Sequence, residues 1–284
     1  MRRSYILTAS CPDRIGIIAA VSGLIARLGG SILEASQHAD AAAGWFFMRY
    51  EIDATTLAAS REELAAAIEE IAGSFAMRWQ LNDSARPKRV LVLASRTDHC
   101  LADLIYRWRS GTLPGELVGV VSNHTLLAAQ VEAAGLAFHH VPVTAERRLQ
   151  AFEAIERIFE ALAADVMVLA RYMQILPPPL CARLSGRIIN IHHSFLPSFV
   201  GANPYRQAYE RGVKIIGATC HYVTEALDAG PIIEQDVVRI HHGDTVERLI
   251  ALGQDVEKNV LARGLRYHLE DRVLRHGNKT VVFA

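Results

Sequence analysis

Asn190, His192 and Asp228 are the side chains whose types and spacing could carry out acyl transfer. An amide can hydrogen-bond a developing oxyanion, an imidazole can move a proton near neutral pH, and a carboxylate can orient that imidazole and raise its pKa. Asn190 and His192 stand two apart at the end of an apolar run, Arg187 to Ile191, that reads as a strand. Side chains alternate along a strand with period 2, so the pair shares one face. Pro197 soon follows and ends the strand; Asp228 comes from Thr224-Glu-Ala-Leu-Asp-Ala-Gly-Pro-Ile-Ile233. His193 is expected to face away from His192, with a structural hydrogen bond as its default role and a catalytic one as the alternative. For the same reason His192, His193 and His221 are not expected to gather round a metal.

These residues need a scaffold, and the chain supplies one in two parts. Tyr5 to Ala9, Ser31 to Gln37, Trp45 to Ile52 and Met77 to Leu81 read as strands. A helix with the apolar stripe Ile17, Ile18, Val21, Leu24, Ile25, Leu28 stops at Gly29-Gly30, and a second spans Arg61 to Ala72. The order βαββαβ is that of a ferredoxin-like domain. A polar, proline-containing stretch, Asn82 to Lys88, marks a linker, placed at 84–88 between a first domain, 1–83, and a second, 89–284.

Beyond the linker, strands and helices alternate, which predicts an α/β domain with a mostly parallel, doubly wound sheet. Its strands are expected at Arg89 to Ala94, Leu117 to Ser122, Phe138 to Val141, Val166 to Ala170, the catalytic strand, Ile215 to Tyr222 and Ile232 to Val238. Helices are expected at His99 to Arg109, Thr125 to Ala134, Arg147 to Leu162, Pro204 to Arg211 and about Thr245 to Arg275. Catalytic groups in such sheets sit at the carboxyl ends of strands.

Composition narrows the function classes. The chain has 284 residues, long enough for two cores, with 30 Lys plus Arg against 30 Asp plus Glu. That balance leaves no field to attract nucleic acid or an anionic membrane. Cys11, Cys100, Cys181 and Cys220 are scattered, which suggests neither zinc nor a disulfide framework but buried thiols in a reducing cytoplasm. Asp13 and Arg14 interrupt the first apolar run, and no stretch reaches 18 apolar residues, so neither a signal peptide nor a span is expected.

Ile188-Ile-Asn-Ile-His-His-Ser-Phe-Leu-Pro197, followed by Leu227-Asp-Ala-Gly230, resembles the signature of enzymes that handle the formyl group of 10-formyltetrahydrofolate. The resemblance to the formyltransferase fold covers roughly Lys88 to Phe283. It implies a folate pocket at Tyr172, Met173, Gln174, Ile175 and Leu176, closed on its other side by Val223 and Thr224 onward, with Phe195, Leu196 and Pro197 packing beneath. On periodicity alone Tyr172 to Leu176 read as core. Ser10-Cys-Pro-Asp-Arg-Ile-Gly-Ile-Ile18 is similar to the first turn of an ACT domain, which implies Asp13, Arg14, Ile15 and Gly16 as an effector site for an amino acid such as glycine or methionine. Asp13 could also cap the helix that follows.

One departure separates two branches of that superfamily. Glycinamide ribonucleotide formyltransferases have a glycine-rich turn after the first strand of this domain, whose amides cradle the substrate phosphate. Here the turn reads Ala94-Ser-Arg-Thr-Asp-His-Cys-Leu101, without glycine and with Asp98 near where the phosphate would sit. Asp98-His-Cys-Leu101, the doubled His192-His193 and the fused ACT-like domain resemble formyltetrahydrofolate deformylases, which pass the formyl group to water. Gly201-Ala-Asn203 and the region Ala128 to Ala145 depart from that family's pattern.

The resemblance implies hydrolysis of 10-formyltetrahydrofolate to formate and tetrahydrofolate, balancing one-carbon pools and feeding purine synthesis. The folate is then a substrate, and no cofactor is implied. Asn190 would bind the oxyanion, and His192 with Asp228 would deprotonate the water and reprotonate N10, the order of those two being open. Exposed edges of an ACT-like sheet predict a homo-oligomer. Two rivals stand beside the hydrolase: a formyltransferase acting on an unphosphorylated amine, and a non-catalytic folate or amino-acid sensor.

Overall fold

The computed structural model describes residues 2–197 and 204–284. The chain divides into two compact units. The first contains Met1–Pro87 together with Glu270–His276 and Val281–Ala284, and the second Lys88–Leu269 with Gly277–Thr280. Expected boundaries assigned the whole of 89–284 to the second domain; the structure instead groups most of the last fifteen residues with the first unit.

In the first unit β1 (Ser4–Pro12), α1 (Ile17–Arg27), β2 (Ile32–Asp40), β3 (Trp45–Asp53), α2 (Arg61–Phe75) and β4 (Arg78–Asp83) follow the expected βαββαβ order. The sheet order is β2-β3-β1-β4, antiparallel throughout. Ile17, Val21, Leu24 and Ile25 of α1 and Leu64 and Ile68 of α2 join Leu7, Met48, Tyr50 and Ile52 in one core. Ser60 and Glu63 form a reciprocal capping box that starts α2. Asp13 does not cap α1: the helix begins only at Ile17, behind Gly16, whose φ of 96° needs a residue without a Cβ. Asp13, Arg14, Ile15 and Gly16 form an exposed turn, tied by the Asp13 amide to the Gly44 carbonyl at 2.9 Å.

In the second unit the elements are β5 (Arg89–Ala94), α3 (His99–Arg109), β6 (Glu116–Ser122), α4 (Ala128–Ala133), β7 (Phe138–His140), α5 (Arg148–Ala161), β8 (Val166–Ala170), α6 (Pro178–Arg183) and β9 (Ile188–His192). They are followed by α7 (Pro204–Arg211), β10 (Ile215–Tyr222), β11 (Ile232–Arg239) and α8 (Val246–Leu269). Strands β12 (Val273–His276) and β13 (Lys279–Val282) form a two-stranded sheet at the end of the chain. The large sheet runs β11-β10-β9-β8-β5-β6-β7. Strands β9, β8, β5, β6 and β7 run parallel to one another, β10 is antiparallel to β9, and β11 is antiparallel to β10 and so returns to the common direction.

One sequence expectation needs correction here, and one stretch takes a form that no sequence expectation covers. The last helix ends at Leu269 rather than near Arg275, because Asp271 takes a positive φ of 55° and the chain turns into β12. The proline run opens a helix: Pro178 and Pro179 occupy the first turn of α6, where a missing N–H goes unfelt. Gly201, Ala202 and Asn203 lie outside the described residues. The four cysteines are buried free thiols, and among the described residues no helix is long and apolar enough to cross a membrane.

Candidate active site

Strand β9 lies between β8 and β10, with Ile188, Ile189 and Ile191 buried and Asn190 and His192 alternating with them. The antiparallel register sets His221 of β10 opposite Asn190, and Thr219 opposite His192. Asp228 arrives on the loop between β10 and β11. That loop presses against β10: a Cβ at Gly230 would overlap the Tyr222 carbonyl, which accounts for the glycine two residues after Asp228. Asp228 itself sits in the left-handed region at φ 51°.

The three expected residues meet. Asp228 Oδ2 is 3.2 Å from His192 Nδ1, and its other oxygen is 3.7 Å from His221 Nε2. His221 donates from Nδ1 to the Tyr222 carbonyl at 2.9 Å, which leaves Nε2 to accept from Asn190 Nδ2 at 3.2 Å. The hydrogen bond from His192 holds the Asp228 carboxyl far below the usual carboxylate range, with the nearby His221 ring acting in the same direction, against the opposing effect of burial. His192 is 5 % exposed, and its Nε2 is buried with no hydrogen-bond partner among the described residues.

All these groups line one cleft of about 360 Å³. The expected folate residues Tyr172, Met173, Gln174, Ile175, Leu176, Val223 and Thr224 line it too. The reading of Tyr172 to Leu176 as core holds for two of the five. Tyr172 and Leu176 are buried, burial pushing the Tyr172 phenol up to about 12, whereas Met173 and Ile175 are 60 % and 57 % exposed and form an apolar lip. Nor does His193 face away. It follows the last residue of β9, so strand alternation no longer governs it, and it lines the cleft with its ring 5.2 Å from that of His192.

Beside this cleft lies a buried ionic cluster that sequence reasoning missed. Glu257 of α8 accepts a hydrogen bond from the Tyr205 hydroxyl, meets His99 Nε2 at 2.9 Å and pairs with Arg171 Nε at 3.3 Å. Burial raises the Glu257 pKa, but His99, Arg171 and Tyr205 together outweigh it and the carboxyl is held below its ordinary value. His99, Cys100 and Glu257 bring donor atoms within 4.8 Å of one another, a spacing a cation could bridge. Arg171 already balances that carboxylate, and burial pushes the Cys100 thiol well up, so the cluster reads as an internal ion-pair network. Only the separate helical pattern around Glu257 was visible in the sequence, with nothing to join it to the distant Arg171.

At the turn after β5, Ser95 is buried and its hydroxyl donates to Asn123 Oδ1 at 2.7 Å while accepting from the Met173 amide at 3.1 Å. Asp98 is exposed at the start of α3 and makes no side-chain cap. A smaller cleft of about 180 Å³, lined among others by Arg96, Asn123 and His124, shares Arg171, Met173 and Gln174 with the larger one.

Comparison with known proteins follows the same division. A family model described as formyl transferase matches residues 88–265, and an ACT domain model matches residues 5–71. The chain is 46% identical over 278 residues to the formyltetrahydrofolate deformylase of Bacillus subtilis (strain 168), covering 98% of this chain and 93% of that protein. The crystal structure of a formyltetrahydrofolate deformylase from Pseudomonas syringae pv. tomato str. DC3000 superposes with a TM-score of 0.98 at 56% identity, covering 100% of this chain and 95% of that one. Glycinamide ribonucleotide transformylase 1 from Symbiobacterium toebii is similar at a TM-score of 0.67 and 31% identity, covering 72% of this chain and 98% of its own.

Proposed function

The chain belongs to the formyltetrahydrofolate deformylase family, and from that premise we infer that Asn190, His192 and Asp228 hydrolyse 10-formyltetrahydrofolate to formate and tetrahydrofolate. The protein is a hydrolase of a formamide C–N bond. The observation that carries the assignment of residues is the meeting of Asp228 with His192 at 3.2 Å inside the cleft.

Asp228 accepts from Nδ1–H, so the lone pair of a neutral His192 lies on Nε2, the ring nitrogen with no partner among the described residues. A carboxylate held so far below its usual range is a weak base, which favours His192 as the group that takes the proton from water. The water oxygen bonds to the formyl carbon, and the carbonyl electrons move to an oxygen held by the Asn190 amide. That donor is worth about 3 kcal/mol in such sites. His192 then returns the proton to N10, the C–N bond breaks, and the formic acid released loses its proton to solvent.

The folate is consumed, so it is a substrate and the scheme calls on no cofactor. Met173 and Ile175 offer apolar contact for the pterin at the lip of the cleft. The exposed turn Asp13 to Gly16 is the proposed effector site, for a small amino acid. Strand β2, an edge of its sheet, is the proposed surface for pairing with a second copy, and a cytoplasmic setting follows from the folate chemistry.

Incubating the protein with 10-formyltetrahydrofolate and no added amine tests the reading. Equal amounts of formate and tetrahydrofolate, lost in His192→Ala, are expected. Release that begins only when an amine is supplied would make it a transferase, and binding without release a sensor.

A further inference from the structure

Three groups at the cleft have no part in the hydrolysis as described: His193, Arg171 and, behind them, Glu257. Glu257 is the costly one, its side chain 1% exposed. A carboxylate taken out of water costs several kcal/mol unless it is closely paired. Here three separate segments converge on α8 to pair it: His99 from the start of α3, Arg171 from the turn after β8 and Tyr205 from α7. The sequence makes room for the arrangement one helical turn before Glu257, where a Cβ at Gly253 would run into the Tyr205 ring. Arg171 is held at a φ of 62°, a backbone state that a residue with a Cβ adopts only when its surroundings enforce it.

One arm of this cluster, Tyr205, packs against His193, and the other, Arg171, opens into the cleft that His193 lines. The Tyr205 ring lies 6.2 Å from the His193 ring, and the His192 ring lies 5.2 Å from it. Arg171 and His193 line the same cleft. We propose that His193 is the acceptor that holds the hydrolytic water beside His192, and that Glu257 is a positioning residue that fixes His193 there through Tyr205 and Arg171. This rests on the hydrolase reading and adds the device that delivers water rather than another nucleophile.

The charges around His193 fit that role. Burial and then the Arg171 charge push its ring down to about 4, with His192 acting in the same direction and Glu257 and Asp228 opposing. Those groups, with Tyr205, come from the turn after β8, from β9, α7 and α8, and from the loop between β10 and β11. At neutral pH the two imidazoles therefore divide the work. His192, facing a carboxylate, can carry a proton, while His193 stays neutral and offers a lone pair. In the attack one water proton passes to His192 Nε2 and the other remains on oxygen, hydrogen-bonded to His193, until the carbon–nitrogen bond breaks.

The test compares His193→Ala, the bulkier His193→Gln, Glu257→Gln and Tyr205→Phe with wild type, using 10-formyltetrahydrofolate. Folate binding, followed by fluorescence, checks that each variant is folded. Loss of His193 should lower kcat about 100-fold, the low end for an acid–base or water-holding group, and leave KM unchanged. Hydroxylamine, a nucleophile strong enough to attack without being held, should restore formyl release to the His193 variants and not to His192→Ala. Glu257→Gln should lower kcat less, and combining it with His193→Ala should add nothing further. Wild-type kcat in both folded His193 variants, or effects of Glu257 and His193 that multiply, would overturn the inference and leave the hydrolase reading standing. A wild-type protein that releases no formate would overturn both.

Discussion

Asp228 turns one carboxylate oxygen to His192 Nδ1 at 3.2 Å, and in the proposed hydrolysis that pairing leaves Nε2 as the nitrogen that works on substrate. The pairing acts through tautomer and orientation. Asp228→Asn, which keeps the shape and offers an amide instead, should therefore lower kcat by about 100-fold or more with little change in KM. Steady-state kinetics check this, and an unchanged kcat would remove Asp228 from the chemistry.

Asn190 is anchored by His221 at 3.2 Å, which leaves its second amide hydrogen available to an oxyanion. Asn190→Ala should cost about 100- to 1000-fold in kcat. A rise in KM with kcat preserved would mean that Asn190 binds the ground state instead.

The depressed Asp228 carboxyl makes a prediction about acid stability. Its folded pKa lies below the ordinary value of 3.8, so its pairing contributes fully above that value and is lost as pH falls through the folded one. Asp228→Asn should flatten the fall of unfolding free energy below about pH 4, as measured by denaturant titration at several pH values. A wild-type slope in the variant would show that the ionised form gains nothing on folding.

Gly253 allows the sign of an effect to be tested. By helix propensity alone Gly253→Ala in α8 should stabilise by about 1 kcal/mol. The added methyl would instead meet the Tyr205 ring, and overpacking of this kind destabilises by about 1 to 3 kcal/mol. Chemical denaturation decides, and a stabilised variant would show that Tyr205 moves aside freely.

Much of this architecture was legible because it is written in local patterns. Apolar alternation located β9, the stripe from Ile17 to Ile25 located α1, and the spacing of Asn190 and His192 put them on one face as found. Relationships that depend on which strands pair were not legible. His221 lies opposite Asn190 only because β10 runs antiparallel to β9 in a sheet otherwise wound in parallel, and no property of Ile215 to Tyr222 announces that partner. His193 was misread because alternation was carried one residue past the end of its strand. Glu257 was invisible for a different reason: three segments from distant parts of the chain supply its partners, and none carries a signal until they are together.

The close passage of the Asp228 loop over β10, with no room for a side chain at Gly230, bears on the energetics of turnover. Asp228 is placed by the backbone of its own sheet, not by contact with the folate. Reorganisation of the dipoles around His192 is thus completed during folding, before any substrate arrives, and only water and the formyl group remain to be aligned.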